Sequence, residues 1–252
     1  MLKEQSKFRI TLDPGHELEV SIPHGVFVPT GTTTVLINAI RSYARGPGKA
    51  LDLGCGAGAV GIALNRLGLV KAPLYASDLG QAAVDSTAHN CAEHQCPVVA
   101  RCGPLFEPWK NEKFDYIVDD VSGVAAGVAA VSPWFANVSC ESGIDGASLV
   151  GEVIKQAPAY LEPEGLLFFP IISFSNADKI LAIARENFKE VRQLAHHEWP
   201  LPKEMYQHLP ELERLQEEGH IQFSRKFGMV LWFTDIYVAS NFKLQEPTIG
   251  GD

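Results

Sequence analysis

The 252-residue chain is 46% hydrophobic and 20% charged, a globular composition that excludes a disordered or collagen-like chain, and its length suits one compact unit, either one large α/β domain or one domain with a small appendage. Its 21 Lys and Arg against 30 Asp and Glu give a formal charge of −9, which repels phosphate backbones at long range and, with no basic cluster, predicts no nucleic-acid partner. Five scattered cysteines do not form a secreted disulfide framework, and the longest apolar runs, such as 166–173, fall far short of the ~20 residues of a membrane helix, so a reducing, cytoplasmic location without a membrane partner is expected.

Residues 8–12 and 17–22 alternate apolar and polar side chains around Asp13-Pro14-Gly15 and predict a hairpin, an N-terminal flap over 1–24. The small-residue run GVFVPTGTTT (25–34) leads into a helical pattern over 35–43. From Ala50 onward, strands predicted at 50–53, 74–77, 98–101, 116–118 and 166–170 alternate with helices predicted at 59–67, 81–91, 149–160 and 176–188. This alternation predicts right-handed crossovers and a Rossmann-like, doubly wound parallel sheet. Two further strands, 191–199 and 229–240, have no ordinary crossover helix between them. Their separator, 200–228, carries Pro200, Pro202 and Pro210 and an acidic helical run over 211–218, and is expected to be an insertion at the sheet edge. The expected organisation is therefore the flap, one domain over 25–245, and a flexible tail over 246–252.

The sharpest motif is Leu51-Asp52-Leu53-Gly54-Cys55-Gly56-Ala57-Gly58, a strand that ends in alternating glycines and runs straight into a helix. Glycines let a ligand approach the backbone, and the helix start presents free N–H groups. Asp52 can accept from a ligand ammonium. Asp78, twenty residues beyond Gly58, ends the next strand, where a carboxylate can grip both hydroxyls of a ribose. Gly56 to Gly61 also satisfies the dinucleotide pattern GxGxxG, but Asp52 and Gly54 come first and put a carboxylate where a pyrophosphate would sit. An adenosine ligand that carries a cationic amino acid, S-adenosyl-L-methionine, suits that register better.

DLGCGAG followed by Asp78 resembles the glycine motif and ribose acid of class I S-adenosylmethionine-dependent methyltransferases. VFVPTGTTTVL, GPLFEP (103–108), FDYIV (114–118) and the stretch 142–167 are similar, more narrowly, to protein-glutamine N5-methyltransferases and their small-domain relatives. The resemblance covers about 25–173. It implies a seven-stranded sheet of order 3-2-1-4-5-7-6 with the last strand antiparallel. It also implies that Asp52, Gly54, Cys55, Gly56 and Gly58 hold the methionine part of the cofactor, Asp78 and Leu79 the ribose side, and Gly103, Pro104 and Leu105 the adenine side.

Three departures from that family stand out. Its fourth strand ends in Asn-Pro-Pro-Tyr, which holds a planar amide; here the stretch reads Asp119-Asp120-Val121-Ser122-Gly123. A carboxylate cannot both donate to an amide oxygen and accept from its nitrogen, so glutamine methylation is not the first expectation. Asp119, Asp120 and Ser122 become the catalytic candidates, with Asp119 also beside the cofactor; the bland alternative is that either Asp caps a helix or holds the cofactor's ammonium. Pro104 replaces the acid that usually reads the adenine amino group, leaving backbone groups, Cys102 and Leu105 for that task. Only about 25 residues precede the resemblance, so the helical recruiting domain of release-factor methyltransferases is expected to be missing.

Trp134, His197, Trp199 and Tyr206, aromatic or titratable and close to the edge strands or the fourth-strand exit, are the substrate-pocket candidates. His89, Cys91, His94 and Cys96 lie around several faces of one predicted helix and its exit, so no metal site is expected. The expectation is thus direct methyl transfer to a small molecule or an amino-acid-like group, with homodimer formation left open. The alternatives are cleavage or cyclisation of the cofactor's aminocarboxypropyl arm to give methylthioadenosine, glutamine methylation, a non-catalytic binding module and, more distantly, a dinucleotide-dependent oxidoreductase.

Overall fold

The computed structural model describes residues 4–13, 16–136, 138 and 140–243. Strands β1 (Glu4–Asp13) and β2 (His16–Pro23) pair antiparallel as the expected hairpin, whose Pro14-Gly15 turn lies outside the described residues. Helix α1 (Gly31–Tyr43) starts earlier than the apolar spacing predicts, because the Thr30 hydroxyl accepts from the Thr32 N–H and caps it. Then follow β3 (Ala50–Leu53), α2 (Ala59–Arg66), β4 (Leu74–Asp78), α3 (Gln81–Glu93), β5 (Val98–Cys102) and β6 (Phe114–Asp119). A short α4 (Ala126–Val131), α5 (Ser148–Gln156), β7 (Leu161–Ile172), α6 (Ala177–Asn187) and β8 (Phe188–Pro200) come next. The insertion holds a 3-10 stretch (Lys203–His208), α7 (Leu209–Glu217) and β9 (Ser224–Lys226), ahead of the long β10 (Met229–Phe242).

The main sheet runs β5-β4-β3-β6-β7-β10-β8, with β9 added beside β10. Its first five strands are parallel and β10 runs antiparallel to both neighbours. In order of appearance this is 3-2-1-4-5-7-6, as the resemblance implies. The helix expected over 149–160 ends as α-helix at Gln156 and closes with a 3-10 turn, Ala157–Ala159, since Pro158 cannot donate and disfavours helical backbone before it. The tail expected over 246–252 lies outside the described residues. No described helix is long and apolar enough to cross a membrane.

Three apolar clusters hold the fold. One face of the sheet is covered by α1, α2 and α3, and the hairpin seals that layer with Leu18, Val20 and Ile22, all fully buried. The other face is covered by α5 and α6 over Phe106, Trp109, Phe114 and Phe169. Each such side chain contributes about 1.5–3 kcal/mol on leaving water. The third cluster joins α4 and the insertion through Phe174, Leu212, Leu215 and Trp232. Both crossover layers leave the carboxyl ends of β3, β4 and β6 open, where doubly wound sheets bind ligands.

Candidate cofactor and acceptor site

A cavity of about 650 Å³ opens at that end of the sheet. Its floor is the glycine loop. Gly54, Gly56 and Gly58 have φ of +80°, +53° and +80°, the left-handed region in which a side chain is strained, so the loop can turn sharply from β3 into α2. The Ser77 carbonyl at the end of β4 accepts from both Gly54 N–H (2.9 Å) and Cys55 N–H (3.0 Å), and the Ser77 hydroxyl accepts from the buried Trp109 indole at 2.8 Å. A Cβ on Gly56 would meet nothing within 4 Å, whereas one on Gly54 would strike Val121 at 2.9 Å. Gly54 is therefore where the fourth-strand motif closes on the loop, and Gly56 faces open space.

Asp78 is oriented by two backbone donors, Gly56 N–H (3.0 Å) and Gly80 N–H (2.9 Å), one to each oxygen. Leu79 beside it is an exposed apolar side chain on the cavity wall, opposite in sequence to Gly103, Pro104 and Leu105, which also line the cavity. Asp52 lies behind the loop: one oxygen accepts from Gly61 N–H at 2.9 Å, and the other is buried with no protein partner. Burial, with the Asp78 charge adding to it, pushes the Asp52 pKa up to about 7. Asp119 is fully buried; one oxygen accepts from Val121 N–H at 3.1 Å, the other has no partner, and burial raises its pKa to about 8. Asp120 lines the cavity, its pKa raised well above the carboxylate range by burial and then by Asp52, Asp119 and Asp78. Among the described residues no cation pairs with these two buried carboxylates, and a positive charge bound in the cavity in front of them would offset the cost of ionising them.

The expected site residues are thus divided. Gly54, Cys55, Gly56, Asp78, Leu79, Gly103, Pro104, Leu105, Asp120 and Ser122 line one cavity; Asp52, Gly58 and Asp119 support it from behind. The Cys55 thiol is buried and accepts from Thr87 at 3.2 Å. The four substrate-pocket candidates do not line the cavity. Trp134 packs on Trp232 (5.0 Å between ring centroids) and Phe174 (6.2 Å). Trp199 lies on Gly31 and donates to the Thr234 hydroxyl at 3.1 Å, and His197 stacks on Trp199 at 3.9 Å beside a separate groove between α1 and β8. The Tyr206 hydroxyl accepts from Val230 N–H at 3.3 Å. The insertion needs an apolar core of its own, and these rings supply or flank it.

The rest of the cavity wall comes from two loops that the sequence reading left unassigned. Phe27, Pro29 and Thr30 approach from the hairpin side; Phe135, Val138 and Glu141 approach from the segment after α4. Phe27 and Phe135 meet with ring centroids 5.4 Å apart, joining the two loops across the opening. Leu149, Pro170 and Ile172 complete an apolar wall beside Asp120 and Ser122. The Ser122 carbonyl accepts from the Ser142 hydroxyl, which ties the fourth-strand exit to the second loop.

A family model described as "Methyltransferase small domain" matches residues 17–120. A release factor glutamine methyltransferase of Thermosynechococcus vestitus is 25% identical over 206 residues, 73% of this chain and 68% of its own. A ribosomal RNA small subunit methyltransferase C of Actinobacillus pleuropneumoniae is 34% identical over 90 residues, 36% of this chain and 27% of its own. Among solved structures, a T. thermophilus 16S rRNA N2 G1207 methyltransferase in complex with AdoMet and guanosine superposes with a TM-score of 0.61 at 18% identity, covering 94% of this chain and 50% of that one, a likeness of fold. The relatives are named for macromolecular substrates, a release factor and a ribosomal RNA. That finding overturns the expectation of a small-molecule substrate, which had rested on the replaced fourth-strand motif and the short stretch before the resemblance, and the exclusion of nucleic acid, which had leaned on net charge, a property of the whole surface that does not describe one docking face.

Proposed function

We propose, for a chain that belongs to the S-adenosylmethionine-dependent methyltransferases and carries their small domain, that the methyl acceptor is an amine nitrogen on a protein, of the lysine side-chain kind. The observation that carries this reading is Asp120, a cavity-lining residue that stands where an amide-reading Asn would be and whose backbone packs against Gly54, in a cavity that Phe27, Phe135, Leu149 and Ile172 also line. Apolar walls suit the methylene stem of a long side chain, and a carboxylate at the reacting end suits an ammonium. The names of relatives support a protein acceptor.

When bound, S-adenosylmethionine supplies an electrophilic methyl on a sulfonium. In our reading Asp52 would attract the cofactor's ammonium from behind the glycine loop, Asp78 would take the ribose hydroxyls with its remaining lone pairs, and Leu79, Pro104 and Leu105 would offer the adenine an apolar surface without a side-chain acid. Asp120 accepts the proton that an ammonium must lose before its nitrogen can attack, a task that a raised carboxylate pKa favours. Its alignment comes from the Gly54–Val121 contact, which fixes the motif against the loop. A reducing, cytoplasmic compartment goes with this reading.

A second reading, methylation of a protein glutamine amide, is favoured by the glutamine specificity in the name of the T. vestitus relative. The two separate on Asp120→Asn, assayed by transfer of a tritiated methyl from S-adenosylmethionine into total ribosomal and release-factor protein. The amine reading expects transfer to fall at least a hundredfold, with S-adenosylhomocysteine binding within about threefold of wild type. Undiminished or faster transfer by Asp120→Asn would favour the amide. Methylthioadenosine as the nucleoside product would remove both readings.

A further inference from the structure

From the insertion hairpin we infer a docking point for the protein substrate, built around Phe227; it rests on the proposed protein acceptor. Lys226 pairs with Met229 across β9 and β10, so Phe227 and Gly228 form a two-residue turn, with φ of +51° and +75°. Such turns suit Asn-Gly, and a bulky aromatic at positive φ is strained. Phe227 gains nothing inside the chain for that strain, because it is 97% exposed. A residue that breaks a local rule without a folded-state return is a candidate for contact with something outside the chain. Met229 and Tyr206, both partly exposed, extend the apolar surface.

Its placement fits a substrate anchor. β10 last pairs with β7 at Thr234 and Ile172, and Ile172 lines the cavity. The five residues from Thr234 back to Met229 therefore carry the hairpin about 17 Å along the strand direction past Ile172, a residue of the cavity wall. That reach is of use for a macromolecule whose acceptor lies away from its anchoring surface.

The partner committed to is a protein that presents an apolar pocket. Lys226 is paired with Glu198 at 2.6 Å and Arg225 with Glu213, so the cations flanking the tip are neutralised. A neutral collar around an exposed aromatic matches a hot-spot contact of protein interfaces better than a phosphate track.

The test uses the full chain with benzoylphenylalanine in place of Phe227, a control with it at exposed Glu164, and the variant Phe227→Asn. The probes are total ribosomal protein stripped of RNA, and the stripped RNA, each with tritiated S-adenosylmethionine. A crosslink from position 227, absent from 164, to the protein that takes the label is expected. Phe227→Asn is expected to raise KM for that protein at least tenfold, with kcat and S-adenosylhomocysteine binding held and the melting temperature unchanged or higher. No crosslink, a crosslink to an unlabelled protein while another is labelled, or crosslinking to RNA would each overturn the docking point. A fall of several degrees in melting temperature for Phe227→Asn would overturn it too, by giving Phe227 a structural role. A specific crosslink to protein with no label anywhere would instead refute the acceptor reading and leave the docking point standing.

Discussion

Cofactor binding should tighten with rising pH, and the size of the effect follows from Asp52. Its Oδ2 is held by Gly61 N–H, its Oδ1 is buried without a partner, and its pKa sits at about 7. A ligand ammonium in the cavity in front of that carboxylate favours its ionised form, so below pH 7 binding draws a proton off it. Between pH 6 and pH 8 the affinity for S-adenosylhomocysteine should rise roughly tenfold, or about 1.4 kcal/mol, if the bound-state pKa falls below 6. Isothermal titration calorimetry at pH 6, 7 and 8, in buffers of different ionisation enthalpy, reads both quantities. Close to one proton should be released at pH 6 and little at pH 8. Asp52→Asn should flatten the profile and bind more weakly at pH 8. A flat wild-type profile with no proton release would refute the electrostatic coupling of Asp52 to the cofactor's ammonium.

The two glycines should behave differently. Gly54→Ala adds a Cβ 2.9 Å from Val121 at positive φ and should destabilise by about 1–3 kcal/mol while abolishing binding; Gly56→Ala meets no protein atom, so denaturant melts should shift by only about 1 kcal/mol while calorimetry shows at least a tenfold loss of affinity. Asp119, with its pKa raised from 3.8 to about 8, favours the folded state below about pH 4, and that contribution is lost as pH rises through 8. Asp119→Asn should therefore flatten the fall in melting temperature between pH 5 and 9, at about 2–4 °C per kcal/mol, and a steeper fall would contradict the assignment of that loss to this carboxylate. Trp199→Phe, which removes the indole bond to Thr234, should cost about 1 kcal/mol of stability and leave methyl transfer intact, whereas a specific loss of kcat would return Trp199 to the acceptor site.

Where local chemistry fixes a structure, this sequence was legible. The glycine loop, Asp78 and the strand-helix alternation each have a short-range cause: positive φ at Gly54, Gly56 and Gly58, a carboxylate at a strand end, and apolar period. The order of the terminal strands followed from the family resemblance. What stayed hidden depends on tertiary closure. Phe27 and Phe135 are 108 positions apart and become one wall only when the hairpin side and the α4 exit meet, and neither carries a periodic signal. The aromatic pocket candidates misled for the opposite reason, since a ring that lines a pocket and a ring that packs on a small core have the same composition. Trp232 is buried in the third cluster, and Trp134 and Trp199 pack against it partly buried, because the insertion has to cover its own apolar side chains. Phe227 was missed because exposure of an aromatic is invisible until the two-residue turn is seen.

The central claim, that Asp120 serves an amine, is tested most directly by the chemical identity of the methylated residue. Protein labelled by the wild-type chain with tritiated S-adenosylmethionine is hydrolysed in strong acid and the hydrolysate separated by chromatography. Label on an acid-stable methylated amino acid of the lysine class is expected. Label released as methylamine, volatile once the hydrolysate is made alkaline and the signature of a hydrolysed methylamide, would contradict it.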